Sequence, residues 1–492
     1  MSVGVEVTSA AGLAALLPEA VVALTAVAGL LVGSWLPRGR QGWVRGLAVV
    51  AALGALAGAA GGLGGTPIAL ASGYAVDTAT GVARVVVLVG VVVVLVLSAD
   101  HVAGSRRESE FCVLVLLGGL GAMVVAGASD LLVLAVGVLL ASVPLYALAG
   151  FGKDAGGTEA ALKYYLVGAL LGVVLLAGVT LLLGAGGATS YAELSVALPK
   201  APAGVVTAGT VAVLAGLLFK AGAVPAHFWV PDVAEGASAP VAAFVTTVPK
   251  IGAVVAIYRL GTQLEVADVV AWPALVAVVA AASMTLGNLA AFFTGQVRRL
   301  LGYSTIAQVG YVLLAAAAAG QTGLALPGLL YYLAAYLVTN LGAFAVVCAL
   351  PRAATPDDYA GLFRRRPWLA LGLTVCLLGF VGTPPTAVFV GKLSVFAAGV
   401  DAGLAWLVVL AVANTVASLF YYLRWLRPVF RQVPLGSVSK PTVAEARSWP
   451  GEFTSPGRWS ARVAVAAAVA TLGVGVAAEA FLSGVQGARL LP

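Results

Sequence analysis

Five side chains in a very apolar sequence can carry protons: Lys163, Lys220, Lys250, Lys392 and His227. A lysine amine takes up and releases a proton, and an imidazole does so near neutrality. Lys220 closes the run "LLFK" (217–220), Lys250 follows Pro249 in "TTVPKIGAV" (246–254), and Lys392 ends "GTPPTAVFVGK" (382–392). A charge in mid-bilayer costs about 2.5–3.5 kcal/mol on insertion scales, so each of these three deep lysines has a function by default. A row of them suits proton transfer, because the charge of a buried amine answers to the groups around it. Lys163, close to Glu159, reads equally as a channel residue or as a lysine snorkelling to the membrane surface. His227 reads either as a relay member or as a hydrogen-bonded residue of an access channel. Arg84 stands about a turn inside its apolar segment and is expected to snorkel to the outer interface.

The elements that must hold these side chains are membrane helices. The 492 residues are 61% hydrophobic and 10% charged, where a soluble domain carries about 25% charged residues. Fourteen apolar runs are long enough to cross a ~30 Å hydrocarbon core: 12–36, 43–64, 80–98, 111–128, 131–150, 160–184, 204–228, 238–260, 268–292, 299–318, 324–349, 368–395, 403–426 and 461–484. Alternate loops gather nineteen cations, among them Arg38, Arg40, Arg45, Arg106, Arg107, Lys153, Arg298, Arg299, Arg352, Arg364, Arg365 and Arg366. The set continues with Arg424, Arg427, Arg431, Lys440, Arg447, Arg458 and Arg462, whereas the opposite loops hold only Lys200, Arg259 and Arg489. The positive-inside rule makes the first set cytoplasmic and puts both termini outside. The net charge of +7 therefore reports topology, not a nucleic-acid surface. Cys112, Cys348 and Cys376 are spread through apolar stretches without metal-binding spacing and read as small core residues. The first apolar run follows an acidic start and lacks the basic leader of a cleaved signal.

Two segments carry built-in breaks. Gly222 precedes Pro225 by three residues, and Gly382 precedes Pro385 by three, each inside a run that should be helical. Proline removes a helical hydrogen bond and glycine loosens the turn, so segments seven and twelve are expected to unwind there. Free backbone at membrane depth is tolerated only in protein interior or beside water. The breaks lie 160 residues apart, each at the fourth position of a five-segment unit. An odd-numbered unit repeated in tandem must be inverted in the membrane. The expected fold is an all-α polytopic membrane protein with about 14 transmembrane helices. It forms one integral membrane domain: 12–110 (helices one to three), 111–260 (first repeat, segments 4–8), 268–426 (second repeat, segments 9–13) and 461–484 (last helix).

At these residues the chain resembles the antiporter-like membrane subunits of respiratory complex I, and among them the subunit N type. The matching stretches are "LLPE" (16–19), "EAALKYYLVGAL" (159–170), "FKAGAVPAHFWVPDVAEGASAPVAAFVTTVPKIG" (219–252), "VRRLLGYSTIAQVGYVLL" (297–314), "YLVTNLGAFAVV" (336–347), "DDYAGLFRRRPWLA" (357–370) and "GTPPTAVFVGKLSVF" (382–396). The resemblance implies proton translocation coupled to quinone reduction elsewhere in a bacterial cell-membrane complex. NAD, FMN, iron–sulfur clusters and quinone would then belong to partner subunits, with no cofactor in this chain. It also implies that Lys220 is the central broken-helix lysine, Lys250 the relay lysine of segment eight and Lys392 the exit-side lysine. Lys163 would be the lysine near the channel in segment six. Arg298 stands where the family usually has lysine, and Gln308 where histidine is common. The larger departure is in segment five, "AVGVLLASVP" (135–144), where Leu139 replaces the glutamate that partners the central lysine.

Three functions remain in play. One is a proton-translocating subunit of a complex I-type NADH-quinone oxidoreductase, bound to other membrane subunits and to lipid. Another is a subunit of an Mrp-type cation/proton antiporter, which would need carboxylates inside the segments, and this chain has few. The third is a pumping-impaired scaffold, favoured by Leu139 and opposed by the three retained lysines.

Overall fold

The computed structural model describes residues 4–5, 10–71, 73–263, 270–432, 457–487 and 490–491. Lys440, Arg447, Arg489 and most of the 432–455 loop lie outside them. The membrane-length helices are α1 (Leu17–Trp35), α2 (Gly42–Gly61), α3 (Thr78–Val102) and α4 (Glu108–Gly127). Next come α5 (Leu131–Leu140) with α6 (Val143–Ala149), α7 (Ala155–Gly186), α8 (Ala203–Ala221), the short α9 (Trp229–Gly236), and α10 (Ala239–Val245) with α11 (Val248–Gln263). The second half holds α12 (Trp272–Phe293), α13 (Val297–Ala317), α14 (Ala325–Ala349), α15 (Pro367–Val381), α16 (Ala387–Asp401), α17 (Ala405–Val429) and α18 (Arg458–Val476).

Among the described residues, thirteen spans are long and apolar enough to cross a bilayer. The expected twelfth is not one of them, because its break leaves two helices of 15 residues, α15 and α16. Counting that broken pair, every apolar run read from the sequence has its helix. Two further interruptions had no Gly–Pro signature. The fifth span bends at Ala141–Ser142 and the eighth at Thr246–Thr247, each two residues before a proline, Pro144 and Pro249. Proline fits the first turn of a helix, where its missing N–H goes unused, so each restarts the helix after the bend.

Burial sorts the helices. In the most apolar 18 residues of each helix, all are buried in Ala239–Thr262, 94% in Val297–Ala317 and 89% in Ala325–Ala349, against 28% in Gly42–Gly61 and 22% in Arg458–Val476. The helix of Lys250 and the two spans Val297–Ala317 and Ala325–Ala349 therefore occupy the protein interior, while α2 and α18 make part of the wall. A small three-stranded sheet pairs Gly4–Val5, Ile68–Leu70 and Tyr74–Val76 at the end of the bundle where α3 begins.

Two arginines stand elsewhere than expected. Arg84 is 4% exposed and does not snorkel; its Nε and Nη2 donate to both carboxylate oxygens of Glu19 at 2.6 and 2.9 Å. The Tyr74 hydroxyl donates to the same carboxylate at 2.7 Å. Burial, and then the neighbouring Glu19 charge, push the Tyr74 phenol well above its ordinary value, so it stays a neutral donor. Arg259 is fully buried, not a loop cation, and pairs with Asp77, the N-cap of α3, at 2.9 Å. A buried charge is unaffordable alone, so each arginine sits on its carboxylate. The three cysteines are buried and unpaired, as core residues should be.

Candidate functional site

Both predicted breaks end in the same local geometry. Gly222 (φ +72°) and Gly382 (φ +87°) adopt the left-handed conformation that terminates α8 and α15. Ala223 N–H then turns back to Leu218 O at 2.9 Å, and Thr383 N–H to Leu378 O at 3.2 Å. A Cβ on Gly222 would stand 2.5 Å from Lys250 Nζ and 2.7 Å from Val230 Cγ2, so both would have to shift to admit it. The last carbonyls of a helix lack intrahelical donors and carry the negative end of its dipole. At each break a lysine supplies what is missing. Lys250 Nζ donates to Ala221 O at 2.7 Å, and Lys392 Nζ to Phe380 O and Val381 O at 3.0 and 3.1 Å.

The three deep lysines are 1–3% exposed. Lys220 Nζ donates to Ser142 Oγ at 2.9 Å, in the bend between α5 and α6. Its ammonium lies 5.8 Å from the Tyr164 ring centroid, Lys250 lies 5.6 Å from that of Trp229, and Lys392 4.3 Å from that of Tyr311. Aromatic faces offer a cation an apolar but electrostatically favourable neighbour. No carboxylate pairs with any of the three among the described residues. Leu139, at the position of the missing glutamate, is 48% exposed on the outer wall. Leu132, Val136 and Val143 are exposed there too.

Between Lys250 and Lys392 the structure places residues that the sequence did not single out for a role. A small cavity, about the size of one water, lies among Lys250, Gln308, Tyr332, Tyr336 and others, with apolar atoms facing it. Gln308 accepts from the Tyr332 hydroxyl and donates to Phe380 O at 3.1 Å, the carbonyl that also holds Lys392. Tyr336 donates to Thr246 O at 3.0 Å, and Asn340 to Thr247 Oγ1 at 2.7 Å, tying the eighth-span bend to α14. Gln308 had shown only as a departure from the family; for the others the sequence signal was polar residues inside apolar runs, such as Thr246–Thr247 before Pro249.

Lys163 and His227 stand apart from this chain. Lys163 is half-exposed and pairs with Glu159 at 2.7 Å and Asp232 at 3.1 Å. Arg299 joins the cluster through Asp232 and Glu235, both at 2.9 Å. This half-exposed network links α7, α9 and α13. The His227 ring lies against Phe228, and its buried Nδ1 has no hydrogen-bond partner.

Residues 128–418 match the family described as "NADH:quinone oxidoreductase/Mrp antiporter, TM". The chain is 53% identical to NADH-quinone oxidoreductase subunit N 1 of Streptomyces griseus over 463 residues, 94% of this chain and 95% of the relative. It is 50% identical to NADH-quinone oxidoreductase subunit N of Mycobacterium sp. (strain JLS), covering 91% and 93%. Among solved structures it is similar to a chain of respiratory complex I from Thermus thermophilus with bound aureothin. That match has TM-score 0.78 and 32% identity and covers 95% of this chain and 98% of that one. A chain of the Mrp complex from Dietzia sp. DQ12-45-1b shares the fold, with TM-score 0.78 at 22% identity.

Proposed function

The chain belongs to the NADH:quinone oxidoreductase/Mrp antiporter family as an antiporter-like membrane subunit of the subunit N type, and from this we propose how it moves protons. The relay runs Lys220, Lys250, Lys392, with Ser142 and Gln308 as positioning residues. One observation carries the reading. At both helix breaks the freed carbonyls are held by a buried lysine, with a water-sized cavity beside Lys250. Each lysine has neutral oxygens for partners, so its amine can gain or lose a proton without stranding a buried carboxylate. The half-exposed cluster of Lys163, Asp232, Glu235 and Arg299 serves proton uptake, and His227 stands beside its access route.

The arginine-rich end of the bundle faces the cytoplasm in this reading, with both termini outside, by the positive-inside rule. Segments 4–8 and 9–13 act as inverted halves around the two breaks. Quinone reduction takes place in partner subunits, which carry the NAD, FMN, iron–sulfur and quinone sites. Neighbouring membrane subunits cover the outer wall at Leu139.

The test is the proton-to-electron ratio of the native complex in sealed vesicles. Lys220→Ala and Lys392→Ala are each expected to assemble and to lower it. If both assemble and pump at the parental ratio, the lysines are structural and the scaffold reading stands.

A further inference from the structure

We infer that Lys392 has a polar access column of its own toward the arginine-rich end of the bundle, through α12 and α17. The inference rests on the proposed role of Lys392 in proton exchange and departs from its expected position on the exit side.

The column starts at the amine. Lys392 Nζ donates to Thr415 Oγ1 at 3.2 Å and lies 4.3 Å from the Tyr311 ring centroid. Asn288 Nδ2 donates to the Tyr311 hydroxyl at 3.3 Å and to Asn414 Oδ1 at 3.0 Å. The Tyr421 hydroxyl donates to Asn288 Oδ1 at 2.8 Å. Asn288 is four residues from Phe292, about 6 Å along a helix, and there Arg424 caps the end of α12. Its guanidinium donates to Phe292 O at 2.6 Å and Thr294 O at 2.7 Å. Polar groups thus follow one another from the lysine to Asn288 and Tyr421, about one helical turn short of the surface marked by Arg298, Arg299 and Arg424.

In the opposite direction the polar groups stop sooner, at Thr285, whose Oγ1 accepts from Asn414 Nδ2 at 3.2 Å. Past Lys392, α16 buries Val395 and Ala398, and Gly399 packs on Leu314 and Val408. Phe396 lies against the Tyr311 ring at 6.4 Å. Water reaches polar groups that offer it two or more partners and avoids an apolar seam. Tyrosine and threonine hydroxyls each accept a proton on oxygen as they release their own, and the asparagines hold them in line with any water that enters. With three acceptors around it Lys392 is held as an ammonium; once it has passed a proton on, its amine keeps two donors, and a proton arriving through Thr415 restores the third.

The same asparagines also tie α12 to α17, so the test reads access as well as stability. In the native complex, with this subunit's Cys112, Cys348 and Cys376 replaced by alanine, Asn288→Cys and Thr415→Cys are exposed to a small membrane-impermeant methanethiosulfonate in inside-out and in right-side-out vesicles. Modification of each thiol is then counted by mass spectrometry. Modification in inside-out vesicles and its loss in right-side-out ones is expected for both. Reaction at 415 only from the opposite face, or at neither position during turnover, overturns the column. Asn288→Leu, close in volume, is expected to assemble with a lowered proton-to-electron ratio, and a parental ratio overturns the proposal. Failure of the relay itself shows separately, as a parental ratio in Lys392→Ala, which involves no thiol.

Discussion

Lys220 has one side-chain hydrogen bond, to Ser142, and this makes Ser142 the sharpest probe at the residue scale. Ser142→Ala removes a net ~1 kcal/mol and leaves the amine short of a partner. It is expected to lower the proton-to-electron ratio, but less than Lys220→Ala does; an unchanged ratio would separate Ser142 from the relay. Leu139→Glu tests the missing carboxylate from the other side. It returns a negative charge one turn before Ser142, and opposite charges nearby favour the charged form of both groups. The expected outcome is a raised ratio. A parent already at the full family ratio, unmoved by the substitution, would mean that another group has taken the role. The exposed wall at Leu139 is where a neighbouring chain would supply it.

At the scale of elements, the two glycine breaks make a prediction about strain and about function together. Gly222→Ala forces a side chain into the left-handed region and within 2.5 Å of Lys250 Nζ. Gly382→Ala meets the same backbone penalty, but only Lys392 Cδ at 3.1 Å. Strain of this kind costs about 1–3 kcal/mol. Both variants should melt earlier in detergent, and Gly222→Ala should lose more pumping because it displaces the relay lysine. Equal loss of pumping in the two would remove Lys250 from the explanation.

At the scale of the whole molecule, two buried ion pairs brace α3. Asp77 reaches Arg259 on α11, and Arg84 reaches Glu19 on α1. Breaking a buried pair by removing one partner costs about 3–5 kcal/mol, so Asp77→Asn should lower the melting temperature of the subunit markedly. Burial alone would raise the Asp77 carboxyl, but the Arg259 guanidinium and backbone donors outweigh it and hold the group below its ordinary value. A carboxylate with a depressed folded value stabilises above the unfolded value, about 3.9, and loses that contribution as pH falls through the folded one. Parental stability should therefore fall below about pH 4, with Asp77→Asn showing a smaller drop. An identical acid profile in both would deny the pair its role. Topology is tested on the same scale: single cysteines in the loops 65–78 and 432–455 should label from opposite sides of the membrane.

The sequence by itself determined the class, the fourteen segments, both glycine–proline breaks and the three lysines that belong to them. These follow from local rules. Hydrophobic length sets a membrane span, a glycine–proline pair ends a helix, and a cation deep in an apolar run needs either a partner or a function. Partnership was decided only by the tertiary structure. Arg84 and Arg259 looked like interface and loop cations because Glu19 and Asp77, their carboxylates, lie 65 and 182 residues away in the chain. The bends at Ser142 and Thr246–Thr247 were hidden because serine and threonine are ordinary in membrane helices, and only the opposing lysine or asparagine gives them a purpose. Gln308 was visible as a departure from the family, but its place beside Phe380 O depends on how α13 packs on α15. Hydrogen-bond partners across helices are set by crossing and register, which a one-dimensional pattern of apolar residues leaves open.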